Sequence, residues 1–95
     1  MGKTKSIIQQ GDPRCFLCGR MTELECHHVM SGTANRRLSD QYGLVVWLCR
    51  EHHTGDTGVH KNRKKADSLK RLAQIAFEAR HSHDEWMQVF KKNYL

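Results

Sequence analysis

The chain has 95 residues, one small domain's worth, whose core can bury only ~60–65% of the surface the unfolded chain exposes, so a staple is expected. Its net charge of +6, from 16 Lys and Arg against 10 Asp and Glu, favours an anionic partner and makes nucleic acid the leading one. No apolar run is long enough for a signal segment or a membrane span. That predicts a cytoplasmic protein without membrane contact, in a reducing compartment where its four Cys serve as metal ligands before disulfides.

Residues 1–13, "MGKTKSIIQQGDP", lack apolar periodicity and end on a Gly-Asp-Pro turn, which predicts a flexible arm that can touch a partner through Lys3 and Lys5. Residues 14–95 form a single domain. Cys15 and Cys18, followed by Gly19, make a metal knuckle. An extended run over Leu24–Val29 follows. Its alternation sets Leu24, Cys26 and His28 on one face and His27 on the other. The stretch "MSGTANRRLSDQYG" between Gly32 and Gly43 reads as a polar loop joining two strands, the second of them at Leu44–Leu48. Trp47 is expected against the C-terminal helices or a dimer partner.

The chain then enters "CREHH", a short helix start, and the Gly-rich "TGDTGVH". Beyond His60 the spacing becomes helical, with Leu69, Leu72, Ala73, Ala76 and Phe77 at steps of three and four. Ser82 and Glu85 form a capping box ahead of Trp86, Val89 and Phe90. The predicted class is α+β: a small zinc-stapled core over about residues 15–60 and two C-terminal helices over about 61–95 that cover one hairpin face.

Cys15 and Cys18 need a second ligand pair, and Cys49 with His52, as Cys-x2-His, supplies it for a structural Zn²⁺. Cys26 is the rival fourth ligand. Strand alternation leads it away from the knuckle, and a small buried hydrophobe is the preferred reading. If His52 serves the zinc, His53 faces about 100° away around the helix axis, toward the strand that carries His27 and His28.

A hairpin feeding a helix, with "ECHHV" on the first strand and "LVVWLCREHH" closing the second, resembles the HNH endonuclease superfamily (the ββα-metal, treble-clef-like motif) over roughly residues 15–60. The Gly- and Asn-containing loop "GTANRRLSDQYGL" followed by "GVH" is also similar to small phage-encoded HNH proteins. The resemblance implies a metal-dependent endonuclease or nickase that hydrolyses DNA phosphodiester bonds in a bacterial or phage-infected cell. His28 would be the general base, and His27 and His53 would hold a catalytic divalent ion (Mg²⁺, Mn²⁺, Ni²⁺ or Zn²⁺), with His60 as the third metal candidate. A histidine's unperturbed pKa of ~6.5 suits water activation near neutral pH.

The central Asn of the family lies elsewhere here. Asn35, the only Asn of the loop, is assigned to orienting His28 through the backbone, with Asp40 as its substitute. Arg36 and Arg37 are candidates for phosphate contacts, because guanidinium forks match phosphate oxygens and the loop should lie beside the metal. Lys61, Arg63 and Lys64, from the run "HKNRKKADSLKR", form a basic stripe that could follow a duplex backbone or simply be solvated.

Two rival classes fit the same text. One is a non-catalytic zinc module that binds nucleic acid, and the other is a phage-encoded adaptor that binds a protein. The leftover histidines separate them, since a binding module has no use for further imidazoles converging on an open position. The oligomeric state is left open, with a homodimer as one reading.

Overall fold

The structure, a computed structural model, describes residues 5–95, so Lys3 lies outside the described residues. Elements run β1 (Leu24–His28), α1 (Thr33–Tyr42), β2 (Val45–Cys49), α2 (Arg50–His53), a 3-10 turn (Val59–Lys61), α3 (Arg63–Glu78) and α4 (His83–Phe90). This is the α+β class expected, built on one two-stranded antiparallel sheet. Leu24 pairs with Cys49 and His28 with Val45, so the hairpin sets the start of β1 beside the residue that leads into α2. Among the described residues, no helix is long and apolar enough to cross a membrane.

The stretch read as a loop between the strands is in fact the ten-residue α1. Its apolar content is low, so the glycines that bracket it dominated the sequence reading. They are its boundaries. Gly43 ends the helix in the left-handed region at φ 73°, and a Cβ there would stand 2.5 Å from the Lys5 carbonyl oxygen. The helix is fixed to the end of β1 by one buried hydroxyl: Ser39 Oγ accepts from Met30 N–H and donates to the Met30 carbonyl, both at 3.1 Å.

The N-terminal segment also departs from the expected free arm. Ile7 N–H donates to the Gly43 carbonyl at 2.9 Å, Ser6 Oγ donates to the Val45 carbonyl, and Trp47 N–H donates to Gln9 Oε1 at 2.8 Å. Residues 6–9 thus satisfy the edge of β2 that β1 leaves unpaired, which a lone strand would otherwise expose. Ile7 and Ile8 pack against the core.

That core gathers Val29, Met30, Leu44, Val46 and Leu48 from the hairpin region with Leu69, Ala73 and Phe77 of α3 and Trp86 and Phe90 of α4. The capping box at Ser82 and Glu85 is formed as predicted. Three side chains fall elsewhere than expected. Leu72 is exposed, and the buried face of α3 turns instead through Gln74, whose amide is fully used by Glu78, Asn93 and the Tyr94 N–H. Trp47 is half-buried and lines a depression beside the N-terminal segment, outside the aromatic cluster. Cys26, expected as a small buried hydrophobe, is exposed.

Candidate metal centres

The first centre is built by the knuckle and by the turn from β2 into α2. Cys15 N–H donates to the Arg20 carbonyl and Gly19 N–H donates to the Cys15 carbonyl, both at 2.7 Å, which folds the loop so that the buried Cys15 and the exposed Cys18 offer their thiols to one cluster. Cys49 ends β2 and serves as the N-cap of α2, and His52 stands three residues on. The four donor atoms of Cys15, Cys18, Cys49 and His52 all lie within 4.8 Å of one another, close enough to hold a metal ion.

The individual separations test the fit. Cys49 Sγ and Cys15 Sγ lie 3.3 and 3.7 Å from His52 Nδ1, and Cys18 Sγ lies 3.8 Å from Cys49 Sγ. Tetrahedral bonds of about 2.3 Å to sulfur and about 2.0 Å to nitrogen require edges of about 3.5–3.8 Å. Burial works to raise the Cys15 thiol, but backbone N–H groups of Cys49, Leu17 and Cys18 overcome it and hold the group down to about 6. Cys18 moves the other way. The Arg20 backbone lowers it, while desolvation and the neighbouring sulfurs of Cys15 and Cys49 together raise it further. A thiolate stabilised by backbone amides beside three more donors is a ligand set suited to a soft or borderline cation.

The second centre is made of histidines alone. His27 points from β1 to the buried side of the hairpin, His53 ends α2, and His60 is carried by the 3-10 turn. Their donor nitrogens all lie within 4.8 Å of one another. Ring centroids are 5.2 Å apart for His27 with either partner and 4.7 Å apart for His53 with His60. His53 Nε2 faces His60 Nε2 at 3.1 Å.

Glu25, two residues before His27 on the same face of β1, accepts from His53 Nδ1 at 2.7 Å. That fixes the tautomer. With the proton on Nδ1, the Nε2 lone pair is turned toward His60, as in carboxylate-supported metal histidines. Burial, followed by the nearby rings of His53 and His60, pushes His27 down to about 3. The same causes lower His60, burial first and then His53. Both rings are therefore neutral at pH 7, the form that binds metal.

His28 emerges on the opposite side of β1 from His27, and its Nε2 donates to Asp40 Oδ1 of α1 at 2.9 Å, leaving Nδ1 as the basic nitrogen. Asp40, the substitute named for Asn35, thus holds His28 directly and not through the backbone as expected of Asn35. Asn35 sits half-buried in the first turn of α1 and makes no side-chain hydrogen bond to any described residue. A depression lined by His27, His28, His53, His60 and Arg36 joins the two sides.

Of the basic candidates, Arg36, Lys61 and Arg63 line the cleft around the histidines, whereas Arg37 and Lys64 are exposed away from its walls. Lys5 lines the separate depression beside the N-terminal segment. Glu25 and Lys70 belong to the site and escaped the sequence reading. The spacing of Glu25 to His27 along one strand face was the available signal for the first. Lys70 lies one turn of helix beyond Ala66 on the cleft wall, and its place depended on how α3 packs. No family model matches the chain, and no curated protein or solved structure does either.

Proposed function

We propose that the protein is a metal-dependent DNA endonuclease of the HNH type, a nickase, stapled by a structural Zn²⁺ on Cys15, Cys18, Cys49 and His52. The observation that carries this reading is the second cluster. Three imidazoles with mutually close nitrogens stand near a fourth, His28, which lines the same depression and is held by Asp40.

In this reading His27, His53 and His60 hold the exchangeable divalent ion. When bound, such an ion supplies Lewis-acid charge for a phosphate oxygen and for the departing 3′ oxygen. Glu25 orients His53. His28 takes a proton from the attacking water through Nδ1 as the new bond to phosphorus forms, and Asp40 steadies the ring through Nε2. The bond from phosphorus to the 3′ oxygen breaks, that oxygen takes a proton from solvent water, and 5′-phosphate and 3′-hydroxyl ends remain. Arg36, at the cleft wall, pairs with a phosphate oxygen.

The test is a nicking assay on supercoiled plasmid with Mg²⁺, Mn²⁺ or Ni²⁺. The wild type is expected to nick, and His28→Ala is expected to lose on the order of 10²–10⁴ in rate while still binding DNA. Zinc-loaded protein that binds DNA and cuts it under no divalent ion would sink the hydrolytic reading in favour of a binding module.

A further inference from the structure

We infer that the depression between the N-terminal segment and the hairpin is a binding site for a small aromatic anion, a planar ring that carries one carboxylate or phosphate. None of its lining residues belongs to either metal set. The inference does not rest on the hydrolytic reading.

The register of the hairpin provides one wall. Cys26 pairs with Trp47, so both side chains leave the sheet on the side opposite His27, whose partner is Val46. The N-terminal segment that runs along β2 and Arg80, just beyond the end of α3, complete the lining. They bound a volume of about 620 Å³. Sites for small molecules commonly span about 300–1,000 Å³ and are mostly apolar, with a few polar groups that fix the ligand. Here Ile7, Pro13 and Val45 supply the apolar part beside the indole of Trp47.

The groups that are spent and those that are free set the chemistry of the occupant. Ser6 Oγ donates to the Val45 carbonyl and accepts from the N–H groups of Ile8 and Gln9. The Gln9 amide accepts from Trp47 N–H and donates to the Arg14 carbonyl. Both side chains are therefore occupied in holding the segment in place. Among the described residues, Lys5 and Arg80 have no ion-pair partner, and no carboxylate lines the depression. The half-buried Trp47 has neither a ring neighbour nor a hydrogen bond through its indole N–H among those residues.

An ammonium, a guanidinium and an indole N–H are all donors, and they stand beside an open aromatic surface. Together they select an acceptor that carries negative charge on a flat, apolar body. A peptide strand is the poorer fit, because residues 6–9 already satisfy the β2 edge on this side and leave it no backbone to pair with.

The experiment uses the full chain loaded with zinc and follows the fluorescence of anilinonaphthalene sulfonate. Competitors are naphthoate, naphthyl phosphate and the uncharged naphthylmethanol. At least one of the two anions is expected to compete about 5–20-fold more tightly than the alcohol, and which one does so tells a carboxylate ligand from a phosphate. Lys5→Gln and Arg80→Gln are expected to weaken that anion by about 2–5-fold and to leave the alcohol unchanged. Trp47→Ala is expected to cost about 3–10-fold, and Trp47→Phe, which keeps a ring, to restore most of it. The bound anion is also expected to slow alkylation of Cys26 by iodoacetamide, read by peptide mass spectrometry, because the thiol lines the same depression. Arg36→Gln, beside the histidines, is expected to change nothing.

An alcohol that competes as well as the anions overturns the inference, as does a probe that neither anion displaces. Anion binding that ignores both Lys5→Gln and Arg80→Gln, or that leaves Cys26 unprotected, overturns it too. A response to either cation variant together with protection of Cys26 sustains it.

Discussion

Burial holds the His27 ring neutral, with a pKa near 3, and that sets the sign of a pH effect. The unfolded chain binds this proton near ~6.5, so below that pH the unfolded state carries more protons and the fold loses stability as pH falls, by up to about 1.4 kcal/mol per pH unit. Compared with His27→Asn, the wild type should therefore lose ground in urea midpoint between pH 6.5 and 5, while the zinc contribution is common to both. Glu25 gives a second prediction. Glu25→Ala frees the His53 ring and should weaken the exchangeable divalent ion by about 10–100-fold without releasing the tight zinc, as read by chelator competition. Cys15, Cys18, Cys49 and His52 were legible because a four-donor metal set imposes two fixed short spacings along the chain, whereas His27, His53 and His60, far apart in sequence, were named from the family resemblance. Asp40 and Glu25 were less so, since carboxylates are common and their roles depend on which ring lies across a hairpin or helix. Cys26 was misjudged for a related reason: alternation gives the two faces of a strand but does not say which one is covered.

At the scale of elements, α3 and α4 were readable from apolar spacing and from the Ser82 and Glu85 pair, and α1 was not. It buries little beyond Ser39, with Leu38 and Tyr42 packed at the core's edge, so it lacks the apolar stripe that announces a helix. Tertiary attachment makes it: Ser39 hooks it to Met30, and Gly43 lets the chain turn under the N-terminal segment. Gly43→Ala should accordingly cost on the order of 1–3 kcal/mol, from a left-handed backbone and a collision with the Lys5 carbonyl, measurable as a lowered thermal midpoint. Trp86 is the larger lever. It is fully buried between the last two helices and its indole N–H donates to the Lys92 carbonyl at 2.8 Å. Trp86→Ala is expected to cost about 3–5 kcal/mol, seen in chemical denaturation.

For the whole molecule, a core this small would, on the proposed reading, make an ion on Cys15, Cys18, Cys49 and His52 part of the fold's own stability. Strong chelation should abolish the cooperative thermal transition and much of the far-ultraviolet circular dichroism, and zinc should restore both. Metal analysis should find one ion that survives dialysis and one that does not. On the proposed reading the excess of cations works at this scale as well, by drawing in a polyanion and making its capture depend on salt.

Helix α2 is only four residues long, yet it ends with His52 donating to one centre and His53 to the other. On the proposed reading, this shared perch imposes an order of assembly. A chain that has not yet received its zinc has no fixed place from which His53 can meet His27 and His60, so the cutting centre stays dismantled until the staple is set. Newly made or zinc-starved copies would then be harmless to DNA, a safety catch that follows from two neighbouring residues serving different ions.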